Sequence, residues 1–200
     1  MPLFGPPNVD RLMAKGDFLG LINALEYQGL WRVRRDAAVA LAGMGDSDAV
    51  EPLMAALEDD SASVRIAVIA ALGRIGDPAA VEPLAAVLTS QAVDIRKAAA
   101  DSLGQIGDSR ALEPLIVCLK DASWSVRRAA ADALGQIRDA RAAESLKDAF
   151  EDPDANVRRA VADALAALGW QPNGAPSASR AEGSQQRPRR SANLNRHLGR

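Results

Sequence analysis

Cysteine and histidine are almost absent from this 200-residue sequence, which contains one of each. Because Cys118 is alone, no internal disulfide can form and no cysteine cluster can hold a metal ion. The single histidine, His197, lies near the end of the chain. The preceding residues therefore lack the base that serine–histidine and cysteine–histidine catalysis requires. The sequence predicts no catalytic residue, no metal site and no resident cofactor.

Aromatic residues make up only 4% of the sequence, although 48% of its residues are hydrophobic. Alanine and leucine dominate this hydrophobic fraction, and they favour closely packed helices over strands. No run of about 18 apolar residues is present to span a bilayer. The start, MPLFGPPNVD, lacks the basic segment and apolar stretch of a secretory signal. We therefore expect a soluble, cytoplasmic protein without a membrane contact.

Acidic residues outnumber basic ones in the first 169 residues. The segment 170–200 holds six arginines and one acid, Glu182, so its formal charge is +5. Since the whole chain carries −2, residues 1–169 carry −7. An acidic body argues against a reader of duplex DNA, which needs a basic face to neutralise phosphates. The basic tail, with RPRR at 187–190, is the only segment suited to nucleic acid, and a mobile tether is the interpretation we favour for it.

A repeat of 31 residues organises the sequence between about residues 16 and 169. A small apolar residue followed by arginine recurs five times at this spacing, at 33–34, 64–65, 95–96, 126–127 and 157–158. Glycine–aspartate and Glu-Pro-Leu steps recur at the same spacing and degrade in the last repeat. Constant spacing without slippage indicates a structural repeat.

Each repeat predicts two helices, a first over about 80–89 and a second over about 63–75 in the best-defined copies. Asp77 followed by Pro78 is typical of a helix start. Gly76 is typical of a left-handed helix end. The residues predicted to cap second helices are Ser61, Ser123 and Asp154.

Residues 126–137 (VRRAAADALGQI) and 107–115 (GDSRALEPL) resemble the HEAT-like repeats of the phycobilisome-lyase family. The resemblance covers about 16–169 and implies an all-α fold, a right-handed α-solenoid of about five helical hairpins. Such hairpins bury their apolar stripes only by stacking on one another. We expect an N-terminal cap segment over 1–15, units near 16–45, 46–76, 77–107, 108–138 and 139–169, and a disordered, Arg-rich tail over 170–200.

The resemblance leaves three functions open. The family includes bilin lyase subunits, deoxyhypusine hydroxylases and plain binding scaffolds. The hydroxylases hold a di-iron centre with His-Glu pairs, and this sequence contains no such pair. We predict a non-enzymatic scaffold with a protein partner of unknown identity. A bilin lyase subunit or a chaperone that handles a bilin is the alternative.

The resemblance also implies that the second helix of each unit lines a concave face. Positions that differ between units on that helix are the candidate contacts, and Trp and Arg are enriched at binding hot spots. Three units separate Trp31 from Trp124, or roughly 30 Å at 8–10 Å per packed helix. Local packing of each tryptophan is the alternative to binding, as is a solvated ladder of ion pairs for the charged positions. The predicted contacts are Trp31, Arg35, Arg74, Lys97, Asp101, Trp124, Arg128, Asp132 and Arg159.

A second set of arginines recurs without change in every unit and predicts a structural role. A guanidinium at the same position of each repeat can bond carbonyls or carboxylates of its neighbours, such as Asp60, Asp121 or Asp152. This structural Arg ladder comprises Arg34, Arg65, Arg96, Arg127 and Arg158.

Overall fold

Helix pairs follow one another along residues 5–170, the part of the chain that the computed structural model describes. This range contains eleven α-helices, five short 3-10 turns and no β-strand, so the predicted all-α fold is confirmed. Except for Trp170, the tail predicted to be disordered lies outside the described residues. The helices are α1 (Val9–Lys15), α2 (Phe18–Leu25), α3 (Trp31–Met44), α4 (Val50–Ala55), α5 (Ala62–Ile75), α6 (Val81–Val87), α7 (Val93–Ile106), α8 (Leu112–Cys118), α9 (Trp124–Ile137), α10 (Ala143–Asp148) and α11 (Ala155–Ala167).

After α1, short first helices (α2, α4, α6, α8, α10) alternate with long second helices (α3, α5, α7, α9, α11). The Asp77 carboxylate accepts the Ala79 amide and Pro78 opens a 3-10 turn, which confirms the predicted helix start. Helix α6 is shorter than predicted, because the amides from Leu88 to Ser90 bond carbonyls three residues back and tighten the chain into a turn.

The ends of the second helices follow the prediction in part. Helix α5 ends at Gly76, whose φ of 76° is left-handed, whereas α9 ends at Arg138 with a φ of 56°. Ser61 and Ser123 occupy the predicted N-cap positions of α5 and α9, but neither hydroxyl accepts a backbone amide of the helix that follows. Asp154 was predicted correctly, because its carboxylate accepts the amides of Asn156 and Val157.

Leucines at repeat spacing form the core. Each second helix buries one leucine completely, and the first helices from α4 onward bury another opposite it. Burial of each such side chain contributes about 1.5–3 kcal/mol. The leucines of the second helices are Leu41, Leu72, Leu103, Leu134 and Leu165, and those of the first helices are Leu53, Leu84, Leu115 and Leu146.

Successive second helices lie directly against one another. A Cβ atom added at Gly104 would lie 2.8 Å from the Cα atom of Ala133, so α7 and α9 approach as closely as their backbones allow. Gly73 meets Ser102 in the same way, and the buried Ser102 hydroxyl donates to the Ile69 carbonyl at 3.0 Å. The first helices contact mainly the second helices and have no comparable contact with each other.

Candidate functional site

Exposed apolar side chains line one column of the second helices. Trp31, Val93 and Trp124 are separated by multiples of the repeat and are 36%, 39% and 45% exposed. Alanine occupies the equivalent positions of α5 and α11, at 62 and 155. The repeat therefore accepts a small residue here, and the core does not require the large ones. We call Trp31, Val93 and Trp124 the apolar column.

The two tryptophans of the apolar column have different surroundings. The guanidinium carbons of Arg35 and Arg32 lie 5.2 Å and 5.4 Å from the centre of the Trp31 ring, within the range of cation–π attraction. Arg35 also pairs with Asp36 at 2.7 Å. Trp124 has no cation–π contact within residues 5–170. Packing against Arg32 and Arg35 therefore explains part of the presence of a tryptophan at position 31. The Trp124 ring has no such contact within residues 5–170 and stays open to a partner.

Ion pairs lie beside the apolar column on the last three second helices. Lys97 pairs with Asp101 at 2.6 Å, Arg128 with Asp132 at 3.4 Å, and Arg159 with Asp163 at 3.9 Å. All three pairs have the i, i+4 spacing of one helix face and are substantially exposed. Exposed pairs of this kind contribute only about 0.3–0.5 kcal/mol. Their charged groups are therefore free to exchange a partner within the chain for one outside it.

A cleft of about 290 Å³ brings three of the predicted contacts together between α9 and α11. Arg128, Asp132 and Arg159 line it with Asp163 and Asn156. The three other predicted cations lie elsewhere, and Lys97 pairs with Asp101 on α7. Arg74 is exposed in the last turn of α5, and Arg35 is occupied by Trp31 and Asp36. Sequence reasoning missed Arg32 and Asn156, since neither sits in a column that was compared between units.

The helix pairs match a known repeat family. The profile of the HEAT-repeat family matches residues 18–100 and 86–166, which together span most of the chain. The chain belongs to the HEAT-repeat family. Among curated proteins, no sequence matches it significantly.

Several solved structures have a similar fold. A chain of the CpcE–CpcF complex of phycocyanin lyase from Nostoc sp. PCC7120 is similar, with a TM-score of 0.69 and 28% identity. The match covers 78% of the present chain and 66% of the lyase chain, just under two thirds of its length. A designed armadillo repeat protein in complex with the peptide (KR)4 matches with a TM-score of 0.59 and 20% identity, over 82% and 87% of the two chains. The Escherichia coli protein YibA matches with a TM-score of 0.61 and 22% identity, over 78% and 62%. The last two likenesses show the fold alone.

The recurring arginines join neighbouring HEAT units. Nη1 of each one after Arg34 donates to the carbonyls six and five residues earlier, as Arg127 does to Asp121 at 2.9 Å and Ala122 at 3.3 Å. In Arg34 the acceptors are the carbonyls of Tyr27 and Gly29, seven and five residues earlier. Nε and Nη2 of three of them bind both oxygens of an aspartate 25 residues later. These bidentate pairs are Arg34–Asp59 at 2.6 and 2.9 Å, Arg96–Asp121 at 2.8 and 2.9 Å, and Arg127–Asp152 at 2.7 and 2.9 Å.

The aspartate that binds Arg34 differs from the predicted one. Asp59 accepts two hydrogen bonds from Arg34, whereas the predicted Asp60 adds one further contact and is largely exposed. Oδ1 of Asp59 also accepts the Ser61 amide at 2.8 Å. Asp59, Asp121 and Asp152 therefore each join two units and also accept the amide of the residue that precedes the second helix of the later one.

Titration in the ladder follows from these bonds. The hydrogen bonds from Arg96 lower the pKa of Asp121 against the opposing effect of burial, and those from Arg127 lower the pKa of Asp152 in the same way.

Burial raises the pKa of the Cys118 thiol to about 11, so the thiol stays protonated at neutral pH. A buried protonated thiol is inert as a nucleophile, and Cys118 packs as a small apolar residue.

Within residues 5–170, no helix combines the length and hydrophobicity needed to cross a bilayer. No three His, Cys, Asp or Glu side chains in that range are grouped closely enough to bind a metal ion.

Proposed function

We propose that this HEAT-repeat protein is a non-enzymatic scaffold that captures a protein partner on the exposed face of its second helices. The apolar column carries the proposal. Trp31, Val93 and Trp124 recur at repeat spacing, remain exposed, and replace alanines that serve the fold equally well. Large exposed apolar side chains in a row mark interaction surfaces, and tryptophan is the residue most enriched at hot spots.

The packing of the two layers supports the choice of this face. Second helices touch their neighbours through alanine and glycine, whereas first helices have no comparable contact with each other. A stack that is tighter on one side curves toward that side, so the second helices form its concave surface. A concave surface several units long suits an extended partner, and the charged groups of Lys97, Arg128 and Asp132 border the apolar column for polar contacts.

The proposal is tested by the double variant W124A/R128A, which removes the open ring and the neighbouring cation. Because both side chains are about half exposed, the variant should keep the helicity and the melting temperature of the wild type. It should lose most of the proteins that the immobilised wild-type chain captures from native lysate, as quantified by mass spectrometry.

A matched control removes an apolar residue and a cation from the opposite layer. Val117 and Lys120 are exposed at the end of α8, so V117A/K120A makes the same kinds of deletion outside the proposed surface. This control should capture the same proteins as the wild type. If W124A/R128A retains those proteins in full, the second helices do not bind the partner.

The similarity to the phycocyanin lyase chain favours a second candidate, a bilin lyase subunit or a chaperone that handles a bilin. Under this alternative a bilin is the ligand and a phycobiliprotein is the partner. The purified chain would be mixed with phycocyanobilin, with and without an apo-phycobiliprotein, while absorbance in the red region is followed. A spectral change that depends on the chain supports the alternative, and an unchanged spectrum in both mixtures excludes it.

A further inference from the structure

One junction of the Arg ladder lacks its aspartate. Arg34, Arg96 and Arg127 each bind an aspartate 25 residues later, but the residue 25 positions after Arg65 is Ser90. Nη1 of Arg65 still donates to the carbonyls of Asp59 and Asp60, as its counterparts do. Within residues 5–170, Nε and Nη2 of Arg65 have no hydrogen-bond partner and the side chain forms no ion pair. The two nitrogens that bind an aspartate in Arg34, Arg96 and Arg127 therefore have no such partner in Arg65 within these residues.

Ser90 occupies the place of the missing aspartate. Its carbonyl accepts Nη1 of Arg96 at 2.8 Å, as the carbonyl of Asp121 accepts Nη1 of Arg127 at 2.9 Å. Its Oγ accepts the Ala92 amide at 3.3 Å, as Oδ1 of Asp121 accepts the Ser123 amide at 2.8 Å. The carbonyl and the hydroxyl oxygen of Ser90 therefore accept the same kinds of hydrogen bond as the carbonyl and Oδ1 of Asp121. What Ser90 lacks is the second oxygen and the negative charge that the guanidinium binds.

Nearby carboxylates do not substitute for the missing charge. Asp59 and Asp60 are the acids whose carbonyls Arg65 contacts, but both of their carboxylates bind Arg34. No carboxylate oxygen within the described residues lies within 4.0 Å of the Arg65 guanidinium, whereas the Arg34, Arg96 and Arg127 pairs lie at 2.6–2.8 Å. Arg65 is also only partly exposed, so solvent screens its charge less than that of Arg159.

We propose that Arg65 and Ser90 form an oxyanion site between the second and third HEAT units, and that a phosphoryl group fills it. A guanidinium binds two phosphate oxygens in the same bidentate geometry as two carboxylate oxygens. The group has two sources, free phosphate or a phosphoserine at position 90. Transfer of the terminal phosphoryl group of a nucleoside triphosphate would form a bond from Ser90 Oγ to phosphorus, break the bond to the leaving diphosphate and release the hydroxyl proton.

Neither Arg65 nor Ser90 belongs to the apolar column or to the ion pairs that border it. An oxyanion at the proposed site would give the Arg65 junction the link that Arg34, Arg96 and Arg127 already give theirs. Phosphoserine carries about −1.5 to −2 charges at neutral pH and orders segments that face arginine. The phosphoryl group therefore stiffens the stack at the one ladder junction, within residues 5–170, where an aspartate is missing.

The test measures thermal unfolding of the full chain in three forms: wild type, S90D and R65Q. In the first arm, sodium phosphate is compared with sodium chloride at equal ionic strength. In the second arm, phosphoserine is incorporated at position 90 with and without R65Q. S90D is the matched control, because it supplies the carboxylate found at the other junctions and occupies the site.

S90D should melt about 2–4 °C above the wild type, the shift expected when a domain of this size gains one such interaction. Phosphate should raise the melting temperature of the wild type more than that of S90D or R65Q. Phosphoserine at 90 should raise it by at least as much as S90D, and R65Q should remove that gain. A gain in the first arm alone identifies free phosphate as the ligand, and a gain in the second arm alone identifies the modification. If neither arm gives a gain that depends on Arg65, the site does not exist.

Discussion

The guanidinium of Arg127 donates to four oxygens at once, both carboxylate oxygens of Asp152 and the carbonyls of Asp121 and Ala122. The side chains of Arg127 and Asp152 are only 13% and 7% exposed. Burying two charges stabilises a fold only when each satisfies the other, and removing one partner leaves an uncompensated charge. At the scale of the residue, the stability of each junction therefore depends on both members of the pair.

The substitution D152N tests this dependence. Asparagine keeps the shape of aspartate but removes the charge that Arg127 binds, and loss of one partner from a buried pair costs about 3 kcal/mol. Urea unfolding at neutral pH should show a destabilisation of this size. The control E151Q neutralises the exposed neighbouring acid and should change the unfolding free energy by less than about 0.5 kcal/mol. Equal effects of the two substitutions would show that the pair contributes nothing specific.

Sequence reasoning identified the arginines of the ladder but not all of their partners. The serines at 61 and 123 were expected to cap second helices because serine is a common cap. In the structure, the aspartates two residues earlier accept the amides of these serines while they bind arginine. A signal for this was present, since Asp59, Asp121 and Asp152 share one column of the repeat with Ser90. The aspartate carboxylate, rather than the serine hydroxyl, therefore fixes the segment that precedes each of these helices.

At the scale of the element, contact between second helices depends on glycines inside the helices. A Cβ atom at Gly104 would lie 2.8 Å from both the Cα and the Cβ atom of Ala133, and backbone cannot move aside as a flexible side chain can. Alanine is a better helix former than glycine by about 1 kcal/mol. Helix propensity and helix packing therefore oppose each other at this position, and the clash should prevail.

The substitution G104A should destabilise the protein by about 1–3 kcal/mol, the usual cost of overpacking a closely packed contact. G43A is the matched control, because Gly43 is also helical but the nearest atom to its added Cβ is the Met13 Cε atom at 4.0 Å. G43A should stabilise the protein by about 0.5–1 kcal/mol through helix propensity alone. Both effects can be measured by thermal or urea unfolding. A stabilising G104A would mean that α7 and α9 separate without loss.

The helices themselves were predictable, whereas the distance between them was not. Apolar periodicity, Pro78 and Gly76 located first and second helices to within a few residues, because these signals act within one helix. How closely two helices approach depends on side chains from both. The sequence does contain one clue to it, since Gly73, Gly104 and Gly135 recur at repeat spacing inside predicted helices. A glycine retained in a helix interior at an energetic cost has a packing reason.

At the scale of the whole molecule, the repeat determined the fold and left the binding surface open to proposal. Constant spacing predicted a stack of helix pairs because no single pair can bury its own apolar stripe. The columns of the repeat also separated residues that every unit keeps from residues that vary. They did not show that Arg32 and Arg35 flank Trp31 while Trp124 stays open, because that difference arises from side-chain conformations around each ring.

The same ladder gives the whole stack a dependence on pH. The folded-state pKa values of Asp121 and Asp152 are lowered by hydrogen bonds from Arg96 and Arg127, whereas an unfolded aspartate titrates near about 3.9. Stability from these pairs is therefore complete above about pH 4–5 and is lost as the pH falls through the lower folded values.

The double variant D121N/D152N should be less stable than the wild type at neutral pH, but its melting temperature should fall less between pH 5 and pH 2. The control E51Q/E82Q removes two exposed carboxylates of the first helices and should keep the acid sensitivity of the wild type. If D121N/D152N loses stability in acid as steeply as the wild type, carboxylates outside the ladder determine how the stack responds to pH.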